Sequence, residues 1–272
     1  MSATGRSVTS TTSVPGSTTA GTAIGRGGSS RASDAKRAAT AGTCGANRAD
    51  SIVGRAGKGT ASATMGPVTD LSATETDPIK PSSPYSVAKA AGDLHIPAYA
   101  RTFGVNASIT RGSNTYGPNQ YPEKLIPLFV TNALDGEPLP VYGDGRQTRD
   151  WLHASDHCAG IELVLREGAA GEVYNVGGGE ELENGDVTRR ILELTGRDES
   201  LIRHVEDRPG HDRRYSLDSS KLGGLGWKPE RRFDEGLAEA VAWYSDNRAW
   251  WEPLKSGEYR AYYEAQYARR LA

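Results

Sequence analysis

Large apolar side chains enter this chain late. From Met1 to Asp70 there is no Leu, Phe, Tyr or Trp, and the first leucine is Leu71. Beyond it, apolar positions recur at spacings that specify elements. Ser82-Ser83-Pro84 is a helix start, and Tyr85 to Phe103 spaces Val87, Leu94, Tyr99 and Phe103 among small residues, with Gly104 as the stop. Pro97 inside that run removes one hydrogen bond and predicts a kink. Asn106 to Arg111 reads as a short strand, and Leu125 to Leu134 as a helix with an apolar face ended by Asp135-Gly136. Pro138 to Tyr142 is extended and leads into a Gly143-Asp144-Gly145 turn. Ala154 to Arg166 is helical, and Val173 to Val176 is a strand closed by Gly177-Gly178-Gly179. Asp186 to Thr195 and Asp234 to Asp246 are two further amphipathic helices. Short strands alternating with longer helices predict an α/β protein with a parallel sheet.

Composition changes the picture at the N-terminus. Residues 1–65 are mostly Ser, Thr, Gly, Ala and Arg, with eight Lys or Arg against Asp34 and Asp50, a balance of +6. The rest carries 24 basic and 32 acidic residues, a balance of −8, and the whole chain is −2. A segment without large apolar side chains cannot offset the entropy of ordering its backbone, so residues 1–65 are expected to be disordered. Near-neutral charge gives no field for nucleic acid or an anionic membrane. No apolar run reaches the ~20 residues of a bilayer span, and no signal-like run opens the chain, so a cytoplasmic protein is expected. Cys44 and Cys158 form no metal or redox spacing and read as two reduced thiols. His153, His157, His204 and His211 do not form a ligand set, so no metal is expected.

The strongest chemical signal is Tyr85-Ser-Val-Ala-Lys89. Tyr and Lys four apart on a helix share a face. There the ammonium lowers the phenol pKa and bonds a nucleotide ribose, while the tyrosinate takes a proton from a sugar hydroxyl. A bare YxxxK arises often by chance as an exposed pair. Pro-Ser-Ser-Pro in front and the helix–strand behind tip the balance toward chemistry.

The blocks PSSPYSVAKAAGD, TRGSNTYGPNQYPEKLIPLF, PLPVYGDGRQTRDWLH, YNVGG, DRPGHDRRYSLD and LGWKP follow one another in order. Together they resemble dTDP-glucose 4,6-dehydratases, of the extended short-chain dehydrogenase/reductase group, from about residue 66 to 267. YxxxK and NxYGP are shared with sugar-nucleotide epimerases and decarboxylases; PEKLIP, the R-DW block and DRPGHDRRY are more specific. The resemblance implies a partial Rossmann-type parallel sheet over residues 66–119 that holds Tyr85 and Lys89 for catalysis and for NAD. It implies a smaller sugar-nucleotide domain over 120–272, with some strands returning to the first sheet. It also implies a dTDP-sugar substrate and a homodimer through the YxxxK helix.

In chemical terms those blocks suit a nucleoside diphospho-sugar. Lys124 and Arg149 are candidates for the pyrophosphate, Arg149 because a guanidinium bonds two oxygens at once. Arg208 and His211, in the Pro209-Gly210 turn, suit ribose and phosphate. Asn114 and Asn184 each offer an amide, and Pro140-Val141-Tyr142 backbone groups and an aromatic edge for thymine. The resemblance adds Leu125 and Asp207 to these substrate positions.

Two parts of the family pattern are missing. No G-x-x-G-x-x-G turn follows an apolar strand. Where the family carries Thr-Asp-Glu before a Tyr-Gly pair, alignment on Gly66 places Ala61, Ser62 and Ala63. In the family that Asp and Glu are the acid and base for loss of water. The composition of residues 1–65 is that of GC-rich coding DNA read out of frame, so a frameshifted gene is the expectation. Three functions stay open: an impaired NAD-dependent dehydratase, another extended-group enzyme such as an epimerase or decarboxylase, and a non-catalytic nucleotide-sugar-binding remnant or pseudogene product.

Overall fold

A computed structural model describes residues 55–56 and 71–271. Within residues 1–65 the structure describes only Arg55–Ala56, which form strand β1. Backbone pairing along an open strand needs no large side chain. The expectation of disorder for the rest of 1–65 lies outside the described residues, as do Ala61, Ser62 and Ala63.

Helix α1 (Pro84–Phe103) starts where Ser83 accepts a hydrogen bond from the Ser86 amide at 3.2 Å, and stops at Gly104, whose φ is +65°. It runs through Pro97 without a break. Then come β2 (Ile109–Gly112), β3 (Asn114–Tyr116), α2 (Leu125–Asp135), β4 (Leu139–Tyr142) and β5 (Thr148–His153). They are followed by α3 (Ala154–Glu167), β6 (Val173–Val176), β7 (Glu180–Glu183), α4 (Asn184–Thr195), β8 (Ile202–Val205) and β9 (Arg214–Tyr215). The last elements are α5 (Ser220–Gly223), α6 (Phe233–Asp246), α7 (Arg248–Trp251) and α8 (Glu258–Leu271).

The described strands form three sheets. β1, β2 and β6 are parallel neighbours in the first, and β4 pairs with β8 in a parallel two-stranded sheet. In the third, β5 lies between parallel β3 and antiparallel β7 and also pairs with β9. The chain leaves the first sheet at Ser113 to enter β3, and leaves it again through Gly177-Gly178-Gly179 to enter β7. Gly178 is needed there, because a side chain would collide with the Trp151 carbonyl. α1 is seated on β2 by a buried ion pair, Arg111 Nε to Asp93 Oδ2 at 2.8 Å, beside Ile96, Ala107 and Ile109. The main core lies under the other two sheets, where Ile126, Phe129, Leu139, Ile191, Phe233, Leu237 and Tyr244 are buried together.

Cys158 is disulfide-bonded, which corrects the reading of two reduced thiols. No described helix is long and apolar enough to cross a membrane.

Asp150, on β5, is buried, and its carboxyl oxygens reach no hydrogen bond although the Gly178 and Gly179 amides and Ser113 lie near. Burial pushes its pKa up to about 7. A carboxyl raised from its unfolded value near 3.9 contributes stability that is complete below that pH and is lost as pH rises through about 7. Asp150→Asn should therefore gain on the wild type between pH 4 and 8, by a few kcal/mol, since each tenfold change in proton affinity is worth about 1.36 kcal/mol. Urea unfolding of both proteins across that range checks this; a pH-independent difference contradicts it.

Candidate functional site

Register builds the site. Tyr142 ends β4 opposite Val205, the end of β8, so the loops that follow both strands leave side by side. The first loop turns through Gly143 and Gly145, both at positive φ, and the Gly143 amide donates to the Val205 carbonyl at 2.8 Å. The second turns at Pro209-Gly210, where Gly210 has φ +68° and the His211 amide donates back to Arg208 at 3.3 Å. Proline then glycine at a turn's centre suits those angles. The loops are joined by Asp207, whose Oδ2 accepts from Gln147 Nε2 at 2.8 Å and whose Oδ1 accepts from His211 Nδ1 at 2.6 Å. Burial pulls the Asp207 carboxyl upward, but its hydrogen bonds from His211 and the Arg208 amide outweigh that and hold it below the ordinary range. Burial pulls His211 down, against its bond to Asp207. The Tyr142 and His211 rings meet edge-on at 5.9 Å.

Arg149 lies at the centre, 4 % exposed. It pairs in register with Tyr215 of β9, and its guanidinium lies 4.1 Å from that ring's centroid. Nη1 donates to the Thr148 carbonyl at 2.7 Å and Nη2 to the Asp212 carbonyl at 2.8 Å. Among the described residues no carboxylate forms an ion pair with it. Burial, aided by the nearby positive charge of Arg208, lowers its pKa to about 10, so it stays charged at neutral pH. A buried guanidinium held only by carbonyls and a ring retains its appetite for an anion.

Asn184 begins α4 beside the same turn: its amide donates to the Gln147 carbonyl at 3.0 Å, and the Gly185 amide to Gly145 at 2.8 Å. Its side-chain oxygen and that of Gln147 are buried without partners. Such orphaned groups point to a ligand that completes them.

The structure thus brings together Tyr142, Arg149, Asn184, Asp207 and His211, with exposed Arg208, Pro209 and Gly210 shaping the loop. Pro140 and Val141 are buried in β4 behind Tyr142. Asn114, half-buried, lies on β3 opposite Trp151, two residues along β5 from Arg149. Lys124 is exposed, caps α2 and pairs with Glu123, and Leu125 packs against the core; no hydrogen bond or ion pair joins either to the Arg149 cluster. Tyr85 is 55 % exposed, with Lys89 Nζ 5.6 Å from its ring centroid. Ser82, three residues before it, donates to Asp212 Oδ1 at 3.3 Å, which ties the start of α1 to the His211 loop. Three participants escaped the sequence reading: Gln147, Tyr215 and Asp212. Tyr215 stands in the quoted DRPGHDRRY block, but its use shows only once β9 pairs with β5.

Glu75 and Asp77, the first described carboxylates along the sequence, are each engaged by a backbone amide. Glu75 accepts from the Asn175 amide at 2.8 Å and Asp77 from Thr74 at 2.6 Å.

A family model described as GDP-mannose 4,6 dehydratase matches residues 58–240. A dTDP-glucose 4,6-dehydratase from Streptomyces niveus is 57 % identical over 183 residues, 67 % of this chain and 54 % of that protein. A solved dTDP-glucose 4,6-dehydratase from Streptomyces venezuelae, with NAD bound, superposes with a TM-score of 0.69 at 53 % identity, covering 71 % of this chain and 61 % of that one. A UDP-glucose 4-epimerase from Thermotoga maritima gives a TM-score of 0.65 at 28 % identity, covering 70 % and 63 %. The chain spans little more than half the length of the first of these relatives.

Proposed function

We propose, since this chain belongs to the GDP-mannose 4,6 dehydratase family, that it carries the nucleotide-sugar site of a dTDP-glucose 4,6-dehydratase and binds a dTDP-sugar with little or no turnover. The observation that carries the reading is Arg149, a buried and still charged guanidinium that forms no ion pair among the described residues, flanked by the unpartnered amide oxygens of Gln147 and Asn184. A diphosphate supplies the missing negative charge, and the guanidinium fork suits its paired oxygens. Orphaned amide oxygens accept hydroxyl donors, which a sugar supplies. His211 and Arg208 extend the positive charge along the loop, and Tyr142 bounds the nucleoside end. Asn114 and the Lys124–Leu125 segment complete the assignment by resemblance. Identity of 57 % to a dTDP-glucose dehydratase against 28 % to an epimerase favours the dehydratase substrate.

Tyr85 and Lys89 are the proton-transfer pair of this reading, supported by Lys89 Nζ lying 5.6 Å from the Tyr85 ring centroid; the Tyr85 hydroxyl would accept the proton of a sugar hydroxyl. In this reading NAD is the family's cofactor, and its role when bound is to take up and return the hydride. Lys89 would bond its ribose, and the segment in which the family carries its phosphate-binding glycine turn lies outside the described residues. Homodimerisation through α1 belongs to the same reading, supported by the exposure of Val87, Leu94, Tyr99 and Phe103.

Thermal protection by nucleotides tests the substrate class. At equal concentrations dTDP is expected to raise the melting temperature more than UDP or GDP, in proportion to the logarithm of concentration over Kd. Equal protection by all three removes the thymidine assignment and restores the epimerase alternative.

A further inference from the structure

The C-terminal helix lies far along the chain from the loops of the site, yet it reaches Tyr142. On α8, Tyr259, Tyr263 and Tyr267 follow one another four residues apart and so share a face. Their ring centroids are 6.3 Å and then 4.9 Å apart. Each hydroxyl meets a different segment. Tyr259 donates to the Pro122 carbonyl at 3.1 Å, and Tyr263 accepts from Asn132 Nδ2 at 3.2 Å. Tyr267 accepts from the Tyr142 hydroxyl at 3.3 Å, and Gln266 Nε2 donates to that same hydroxyl at 3.3 Å. The first two bonds fix the helix on the segment before Lys124 and on α2, and so deliver Gln266 and Tyr267 to Tyr142.

We infer that Gln266 and Tyr267 are positioning residues for the nucleoside end of the site, holding Tyr142 in place before a nucleotide arrives. This rests on the reading of Tyr142 as a nucleoside contact. The Tyr142 hydroxyl donates to Tyr267 and accepts from Gln266, which fixes its ring edge-on to His211 and 6.1 Å from the Tyr267 ring. A ring anchored at its far end loses its rotational freedom on folding instead of on binding, which favours the complex. Selection by the ring and the β4 backbone also suits an apolar 5-methyl group better than a ring bearing a free donor would.

The test uses the full chain and its Tyr267→Phe and Gln266→Leu variants, each titrated with dTDP and with inorganic pyrophosphate. Both variants should bind dTDP about 2- to 10-fold more weakly, the weight of one hydrogen bond. Pyrophosphate affinity and the ligand-free melting temperature should stay at the wild-type values. Tyr142→Phe combined with Tyr267→Phe should lose no more dTDP affinity than Tyr142→Phe alone, because both remove one interaction. If wild type binds dTDP and neither variant is weakened, or if dTDP and pyrophosphate weaken in parallel, the positioning role is overturned. If wild type does not bind dTDP at all, the functional reading beneath it falls as well.

Discussion

Replacing Arg149 with methionine is expected to weaken dTDP binding on the order of 10²- to 10³-fold while leaving the protein folded. Removing one partner of a buried, hydrogen-bonded charge pair costs ~2–5 kcal/mol, and ~1.4 kcal/mol is tenfold in affinity. Among the described residues no carboxylate forms an ion pair with the guanidinium, so its loss breaks no ion pair. It is held by the Thr148 and Asp212 carbonyls and the Tyr215 ring, and methionine fills much of that space. Arg149→Lys keeps the charge but forfeits the flat fork and the stacking on Tyr215, so it should sit between the two. Calorimetric titration separates the three proteins. Equal dTDP affinity in all of them places the diphosphate elsewhere.

The second large effect is an absence of turnover. With NAD and dTDP-glucose added, the chain is expected to make no detectable 4-keto-6-deoxy sugar. A positioned acid or base typically contributes about 10²–10⁴-fold, and in the alignment on Gly66 that the resemblance implies, Ala61, Ser62 and Ala63 stand in place of the carboxylate pair. Glu75 and Asp77 do not substitute, since each is committed to a backbone amide. The alkali-induced absorbance of the keto sugar is the measurement, with Tyr85→Phe as the control. Turnover near that of an intact dehydratase, lost in Tyr85→Phe, would contradict the reading of the N-terminal segment.

Elements with strong periodicity and end signals were legible in the sequence. α1, α2 and β6 begin or end where capping residues and glycines require, and α3 and α6 differ from expectation by a residue at an end. β5 was hidden because Arg149, Asp150 and His153 are polar yet buried, so the strand lacks the apolar run that marks a central position. β7 and β9 are short and polar, and only pairing with β5 makes them strands. α8 was missed because its signal is three tyrosines spaced by four, and their partners on β4 and α2 lie far off in sequence. The candidate residues were named through block resemblance; the grouping of several of them around Arg149 depends on the β4–β8 and β5–β9 registers, which no local pattern encodes. Lys124 stands apart from that grouping, facing solvent and paired with Glu123.

Binding separated from chemistry tests the central claim most directly. The intact chain is titrated calorimetrically with dTDP-glucose, with and without NAD, and the nucleotide is then recovered and examined. A saturable one-to-one complex, with affinity independent of NAD and dTDP-glucose returned unchanged, is the result expected of an assembled nucleotide-sugar site beside a missing acid–base pair. No saturable binding, or recovery of the keto sugar, would contradict it.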